Sequence, residues 1–154
     1  MKNIKAIIFD WGRTLYNSEN KEEFSDAKQV LEYCRTKGYR MAIASLVSIN
    51  NTVTPAERIS QIENSPLRKF FELALVTNKD KDAIFDEIVE KLNIPRNQVL
   101  IVDDRIIRGI KYGNKNGHPT VWFQNGKFAN ELPNEIMDYP KHTIHSLNEL
   151  TQII

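Results

Sequence analysis

The feature that most constrains this chain is a set of short apolar runs alternating with helical patterns, several of which stop at a polar side chain. Ile4 to Phe9 reads as a buried strand ending at Asp10. Arg40 to Ala44 ends at Ser45, and Val99 to Val102 ends at Asp103-Asp104. Leu73 to Val76 and Thr120 to Phe123 read as further strands. Such runs, bounded by turn signals, fit strands covered on both faces. Strands alternating with helices predict a three-layer, Rossmann-like α/β domain with a mostly parallel five-stranded sheet. In an open parallel sheet the carboxyl ends of the strands line the ligand crevice. Asp10, Ser45, Asp103 and Asp104, far apart in sequence, are therefore predicted to converge at one edge.

The helices between these strands carry their own punctuation. Phe24 to Lys37 places Ala27, Val30, Leu31 and Cys34 at helical spacing, and Gly38 stops it. Thr54-Pro55-Ala56-Glu57 is a capping box with proline at the first helical position. Ser65-Pro66 opens a further short turn or helix. Asp80 caps a helix from Lys81 to Leu92, Ile106 to Lys115 reads as helical, and Ser146 to Glu149 begins a final helix.

The chain has 154 residues, which fits one domain over 1–154 at ordinary domain sizes of ~100–150. Lys and Arg number 21 against 20 Asp and Glu, a formal net charge of +1. That balance gives no nucleic-acid or anionic-lipid signal beyond a local patch. No apolar run approaches the ~18–20 residues of a membrane span. The single cysteine, Cys34, allows no internal disulfide, and no cysteine set is present for structural zinc. The N-terminal apolar stretch is too short for a signal peptide, so the expected compartment is the cytoplasm. Asn50-Asn51-Thr52 fits a glycosylation triplet, which carries no weight without a secretion signal.

Taken in order, the strand-end residues resemble a known family. Ile7-Ile8-Phe9-Asp10-Trp11-Gly12-Arg13-Thr14-Leu15 is similar to the first motif of the haloacid dehalogenase (HAD) superfamily. In that motif an apolar strand leads to a nucleophilic Asp, a second Asp two residues on, and Gly-Thr-Leu. Ala44-Ser45 resembles the second motif. Lys79-Asp80-Lys81-Asp82-Ala83-Ile84-Phe85 resembles the third, in which a Lys precedes a helix carrying Phe six residues later. Lys79 matches by that distance, with Lys81 the alternative. Val102-Asp103-Asp104-Arg105, Gly113 and Gly117 to Trp122 resemble the fourth motif and the following strand, and Thr143 to Leu150 fits the family's usual ending. The resemblance covers nearly the whole chain and implies a sheet ordered 5-4-1-2-3.

The resemblance implies a hydrolase that acts through an aspartyl-phosphate. Asp10 would attack phosphorus. Mg²⁺ would be held by Asp10, the Gly12 carbonyl and Asp104, with Asp103 helping directly or through water. Ser45 and Thr14 would donate hydrogen bonds to phosphoryl or carboxylate oxygens, and Lys79 would neutralise charge in the transition state. A phosphorylated substrate, small or macromolecular, is the implied partner.

Three departures qualify that picture. Gly12 stands where the family's phosphatases carry the Asp that protonates the leaving group, a function worth ~10²–10⁴-fold. Arg13 replaces the usual Gly at the next position, and Gly109 stands where a second motif-four Asp is often found. These departures predict a phosphatase that is weak or restricted to good leaving groups, or one in which another carboxylate such as Asp103 substitutes. The alternative is a catalytically impaired phosphate-binding or interaction module on the same scaffold. Neither the 10–40 gap nor the 45–73 gap has room for a folded cap. A capless site stays open, which in the family goes with macromolecular substrates or with homo-oligomers whose neighbours close it. Trp11 to Asn20 is left as an exposed local flap. His118, His142 and His145 read as surface or structural residues, and Cys34 as buried rather than reactive.

Overall fold

A computed structural model describes residues 1–50 and 52–154, so the Asn50-Asn51-Thr52 triplet lies partly outside the described residues. The chain runs β1 (Ala6–Phe9), β2 (Tyr16–Asn17), β3 (Glu22–Glu23), α1 (Ala27–Thr36), β4 (Arg40–Leu46) and α2 (Pro55–Glu63). It continues with β5 (Leu73–Thr77), α3 (Lys81–Leu92), β6 (Val99–Asp103), α4 (Lys111–Lys115), β7 (Thr120–Phe123), β8 (His142–Ile144) and α5 (Leu150–Ile153). One parallel sheet has the order β5-β4-β1-β6-β7-β8, and β2 pairs antiparallel with β3.

Alternation along each strand builds the layers. Ile7, Phe9, Met41, Ile43, Leu100 and Val102 point to one face, where Leu31 of α1 and Leu150 of α5 join them. Ala6, Ile8, Ala42, Ala44, Val99 and Ile101 point to the other, under Phe85, Ile88 and Leu92 of α3 and Tyr112 of α4. Every residue of β1 is fully buried, as the central strand of a doubly covered sheet must be. Burial at ~25 cal/mol per Å² of apolar surface makes this two-sided core the main favourable term of the fold.

The sheet order matches the five-strand expectation read from its other edge, with one correction. The sheet has six strands, because β8 adds to β7 in parallel. Its three residues follow Pro140-Lys141 and carry no apolar run, so no periodic pattern announces them. The segment after β6 is helical as expected, but its first turn, Ile106 to Ile110, is a π-turn. The Trp11 to Asn20 stretch is also not an exposed flap throughout. Trp11, Thr14 and Leu15 are fully buried, and only its tip beyond Ser18 is open. Trp11 stacks on Tyr16 and donates from Nε1 to Gln61 Oε1 at 2.8 Å, which ties the β2–β3 hairpin to α2.

Two connections bear on access to the site. Among the described residues, the hairpin and α1 lie between β1 and β4, and α2 and a 3-10 turn at Arg68–Phe70 between β4 and β5. Both emerge at the carboxyl edge of the sheet. The capping box at α2 is formed: Thr54 Oγ1 accepts from the Glu57 amide, and Glu57 Oε2 accepts from the Thr54 amide.

Gly113 marks where α4 meets the sheet most closely. A Cβ there would lie 2.5 Å from Thr120 Cγ2. Gly113→Ala is expected to lower stability by about 1–2 kcal/mol, because overpacking outweighs the gain in helix propensity. Urea unfolding of the two proteins checks this.

Candidate active site

The register of the sheet brings the strand-end carboxylates together. Phe9 is paired with Ile43 on one side and Val102 on the other, so Asp10 emerges beside Asp103. The Asp10 amide donates to the Val102 carbonyl at 2.9 Å. Carboxylate oxygens of Asp10, Asp103 and Asp104 lie within 4.8 Å of one another, and all three residues are buried. Like charges so close repel strongly in a low-dielectric interior, so the cluster needs cations.

Lys81 supplies one. Its Nζ lies 2.6 Å from Asp10 Oδ1 and 2.6 Å from Asp103 Oδ2. Burial alone would depress the ammonium, but the two carboxylates outweigh it and hold its pKa above the ordinary lysine value. Asp10 Oδ2 accepts from Thr14 Oγ1 at 3.1 Å, and Asp103 Oδ1 accepts from the Arg105 amide at 2.8 Å. Asp104 is different. Its Oδ2 is buried with no hydrogen-bond partner. Burial first, then the Asp10 and Asp103 charges, push its pKa well above the usual carboxylate value. Its backbone is fixed from the far side, where Trp122 Nε1 donates to the Asp104 carbonyl at 3.0 Å.

Ser45 is fully buried and accepts from Arg58 Nη1 at 2.8 Å. Arg58 comes from the second turn of α2 and is itself only 6% exposed. Above these residues opens a cleft of about 540 Å³ floored by Asp10, Gly12, Lys81 and Asp104. Arg13, Lys21, Arg58, Arg105, Arg108 and Lys127 line it, while Asp10 and Asp104 are its only carboxylates among the described residues. With Lys81, seven of the chain's 21 lysines and arginines thus line one opening. Such a cleft concentrates anionic ligands.

Comparison with known proteins gives a consistent set of matches. The family described as HAD-hydrolase-like matches residues 76–150. Glyceraldehyde 3-phosphate phosphatase of Pyrococcus furiosus is 29% identical over 138 residues, covering 86% of this chain and 54% of that protein. The Pyrococcus abyssi protein of the same name is 33% identical over 111 residues, covering 68% of this chain and 44% of that protein. The structure of an L-2-haloacid dehalogenase superposes with a TM-score of 0.78 at 14% identity, covering 99% of each chain. The chain belongs to the haloacid dehalogenase superfamily. It spans about half the length of the curated relatives it matches.

Within that superfamily, the structure brings together most of the residues expected from sequence and separates one. Asp10, Thr14, Ser45, Asp103, Asp104 and the Gly12 backbone meet at the cleft floor or directly beneath it. Lys79 does not join them. It is exposed, ahead of the Asp80 cap, whereas Lys81 occupies the first position of α3 and reaches the carboxylates. Asp103 is fully buried with both oxygens engaged and does not line the cleft, a poor position for a substitute acid-base group. Arg13 takes the left-handed conformation, φ +64°, that explains the family's usual Gly at this position. Gly109 has a steric reason: a Cβ there would lie 2.3 Å from Asp103 Oδ2, so no side chain fits.

Arg58 is inconspicuous in the sequence. It sits between Glu57 and Ile59 and looks solvated. Its helical phase was the available signal, since Ile62 four residues on shares its buried face.

The carboxylate cluster has a pH signature. A carboxyl whose pKa is raised by folding contributes stability below its unfolded value and loses it as pH rises through the folded value. Asp104 belongs to that class, as does Asp103. In metal-free protein, Asp104→Asn is therefore expected to melt above the wild type, with a gap that widens as pH climbs from about 4 towards neutrality. Thermal melts across that range check it, and a flat or reversed gap contradicts the assignment.

Proposed function

We propose that this chain is the core of a Mg²⁺-dependent phosphohydrolase that acts through an aspartyl-phosphate on Asp10. The observation that carries the reading is the fixed Asp10 carboxylate. Lys81 and Thr14 hold its two oxygens at the cleft floor, beside the unpartnered Asp104 Oδ2. A buried carboxylate oxygen without a donor is costly unless a cation meets it, so the donor set fits a hard divalent ion. Asp10, Asp104 and the Gly12 carbonyl would hold Mg²⁺, and Asp103 would tune the site from behind. When bound, the ion supplies positive charge against the phosphoryl oxygens.

The chain's own residues do the rest. Thr14 and Lys81 keep the nucleophile in one orientation, and such positioning can supply ~7–11 kcal/mol of a barrier. Lys81, which lines the cleft, faces charge developing on the phosphoryl group. Ser45, on the neighbouring strand, is buried beneath the floor and acts through Arg58, whose Nη1 its hydroxyl holds at 2.8 Å. Gly12 brings no side chain to protonate a leaving group. We therefore infer a substrate whose leaving group departs without a proton, such as an acyl or aryl phosphate. The name of the Pyrococcus relatives supports a phosphorylated small molecule as the substrate class. A capless, cytoplasmic protein acting alone or as a homo-oligomer is the accompanying reading.

The departure at Gly12 favours one other reading, a module that binds Mg²⁺ and phosphate without turnover. Phosphate release from acetyl phosphate and p-nitrophenyl phosphate, with and without Mg²⁺, separates the two. Metal-dependent release that falls by about a thousandfold or more in Asp10→Asn is the expected result. Release unchanged by that substitution would refute the aspartyl-phosphate mechanism. Mg²⁺ binding without any release would favour the binding module.

A further inference from the structure

Arg58 is a buried cation without a carboxylate partner among the described residues, and its Nε is buried without a partner. Burial lowers its pKa from the ordinary arginine value, with the Asp10 charge opposing that shift. A charge in this position destabilises the empty fold unless a ligand compensates it. The helix nevertheless fixes the backbone that carries it. The Arg58 amide donates to the Thr54 carbonyl at 3.0 Å, the capping box fixes where α2 begins, and Trp11 clamps Gln61 one turn on.

Its location is informative. A Cβ built on Gly12 would lie 3.2 Å from Arg58 Nη1. The guanidinium thus crowds the space into which any side chain at position 12 would project. It also bonds Ser45 Oγ and lines the cleft with Asp10. Gly12 and Arg58 therefore form a pair: the absent side chain leaves room for the guanidinium.

We propose that Arg58 is a substrate-binding residue that receives the leaving group of the phosphoryl transfer as an anion, which directs the site to acyl phosphates and phosphoanhydrides. This rests on the aspartyl-phosphate reading above. In the first step an Asp10 oxygen bonds to phosphorus while the bond from phosphorus to the leaving oxygen breaks. The electron pair stays on that oxygen, which departs as a carboxylate or phosphate anion beside the guanidinium, and no proton moves. Water then bonds to phosphorus and the bond to Asp10 breaks. The carboxylate is restored, and dihydrogen phosphate carries away both protons of the water. A planar guanidinium with several N–H donors suits an oxyanion better than a lysine would.

The test uses Arg58→Gln and Arg58→Lys alongside the wild type and Asp10→Asn. Activity is read as kcat and KM on acetyl phosphate and pyrophosphate, and binding as the calorimetric affinity for inorganic phosphate. Arg58→Gln is expected to lower kcat/KM by about 10²–10³-fold on both substrates, the usual effect of removing a preorganised donor. It should weaken phosphate binding, recover activity with added guanidinium ion, and melt no lower than the wild type. Arg58→Lys should retain part of the rate and keeps the test available if Arg58→Gln fails to fold. Release that depends on Asp10 but is indifferent to both Arg58 variants would overturn the proposal and leave the phosphohydrolase standing. Release indifferent to Asp10→Asn would overturn both. A rate loss accompanied by a lower melting temperature and no guanidinium rescue would mark Arg58 as structural and overturn the proposal.

Discussion

One buried ammonium organises the carboxyl edge of the sheet. Lys81 Nζ sits 2.6 Å from both Asp10 and Asp103, carboxylates on adjacent strands. Without it, negative charges would face each other in a region nearly closed to water. A buried pair of this kind is weak evidence for net stability, because desolvation offsets most of the Coulomb gain. Its value is positional. It fixes how far α3 can slide along the sheet and holds the Asp10 carboxylate in one orientation. Phe85, one turn along α3, supports it by packing under Lys81 and stacking on Tyr112 at 4.6 Å.

The neighbouring features follow from that arrangement. Asp103 is turned towards Lys81, which fills the space around Gly109, and the π-turn at Ile106–Ile110 carries Gly109 past it. Asp104 is left to face the cleft alone. Trp122 holds its carbonyl from behind, within a small cluster of Ile106, Ile110 and Trp122. Adjacent carboxylates in one strand-end turn thus acquire different environments: one is satisfied and shut away, the other lines the cleft with one buried oxygen unsatisfied. Pleat alternation sends consecutive side chains to opposite sides, so the division is built into the backbone.

Much of this was legible in the sequence because it rests on periodicity. Apolar runs located the strands that order the sheet, and the polar residues at the carboxyl ends of β1, β4 and β6 meet as the topology requires, although β4 runs one residue past Ser45 to Leu46. The final strand escaped because edge strands need little apolar surface, and His142-Thr143-Ile144 carries only one buried residue. The choice between Lys79 and Lys81 turned on helix phase rather than on distance to Phe85. With Asp80 as the cap, Lys81 lies one turn from Phe85 on the buried face, while Lys79 precedes the helix. Arg58 was hidden for a different reason. An arginine in a polar helical stretch reads as solvated, its phase with Ile62 is the one clue to burial, and its partner Ser45 is remote in sequence. Only the packing of α2 over the end of β4 joins them.

The combination of Gly12 with Arg58 changes the electrostatic character of the floor more than either residue does alone. A carboxyl at position 12 would face the cleft beside Asp10 and Asp104 and add to a set of acids already in mutual repulsion. With Gly12 and Arg58, three carboxylates instead meet two buried cations, Lys81 and Arg58. The rim adds further positive charge from Lys21, Arg108 and Lys127, for which no carboxylate partner is present among the described residues. The cleft is therefore arranged to bind negative charge more than to deliver protons. In a small site the two are alternatives, because a proton donor beside a buried guanidinium would be held ionised by it.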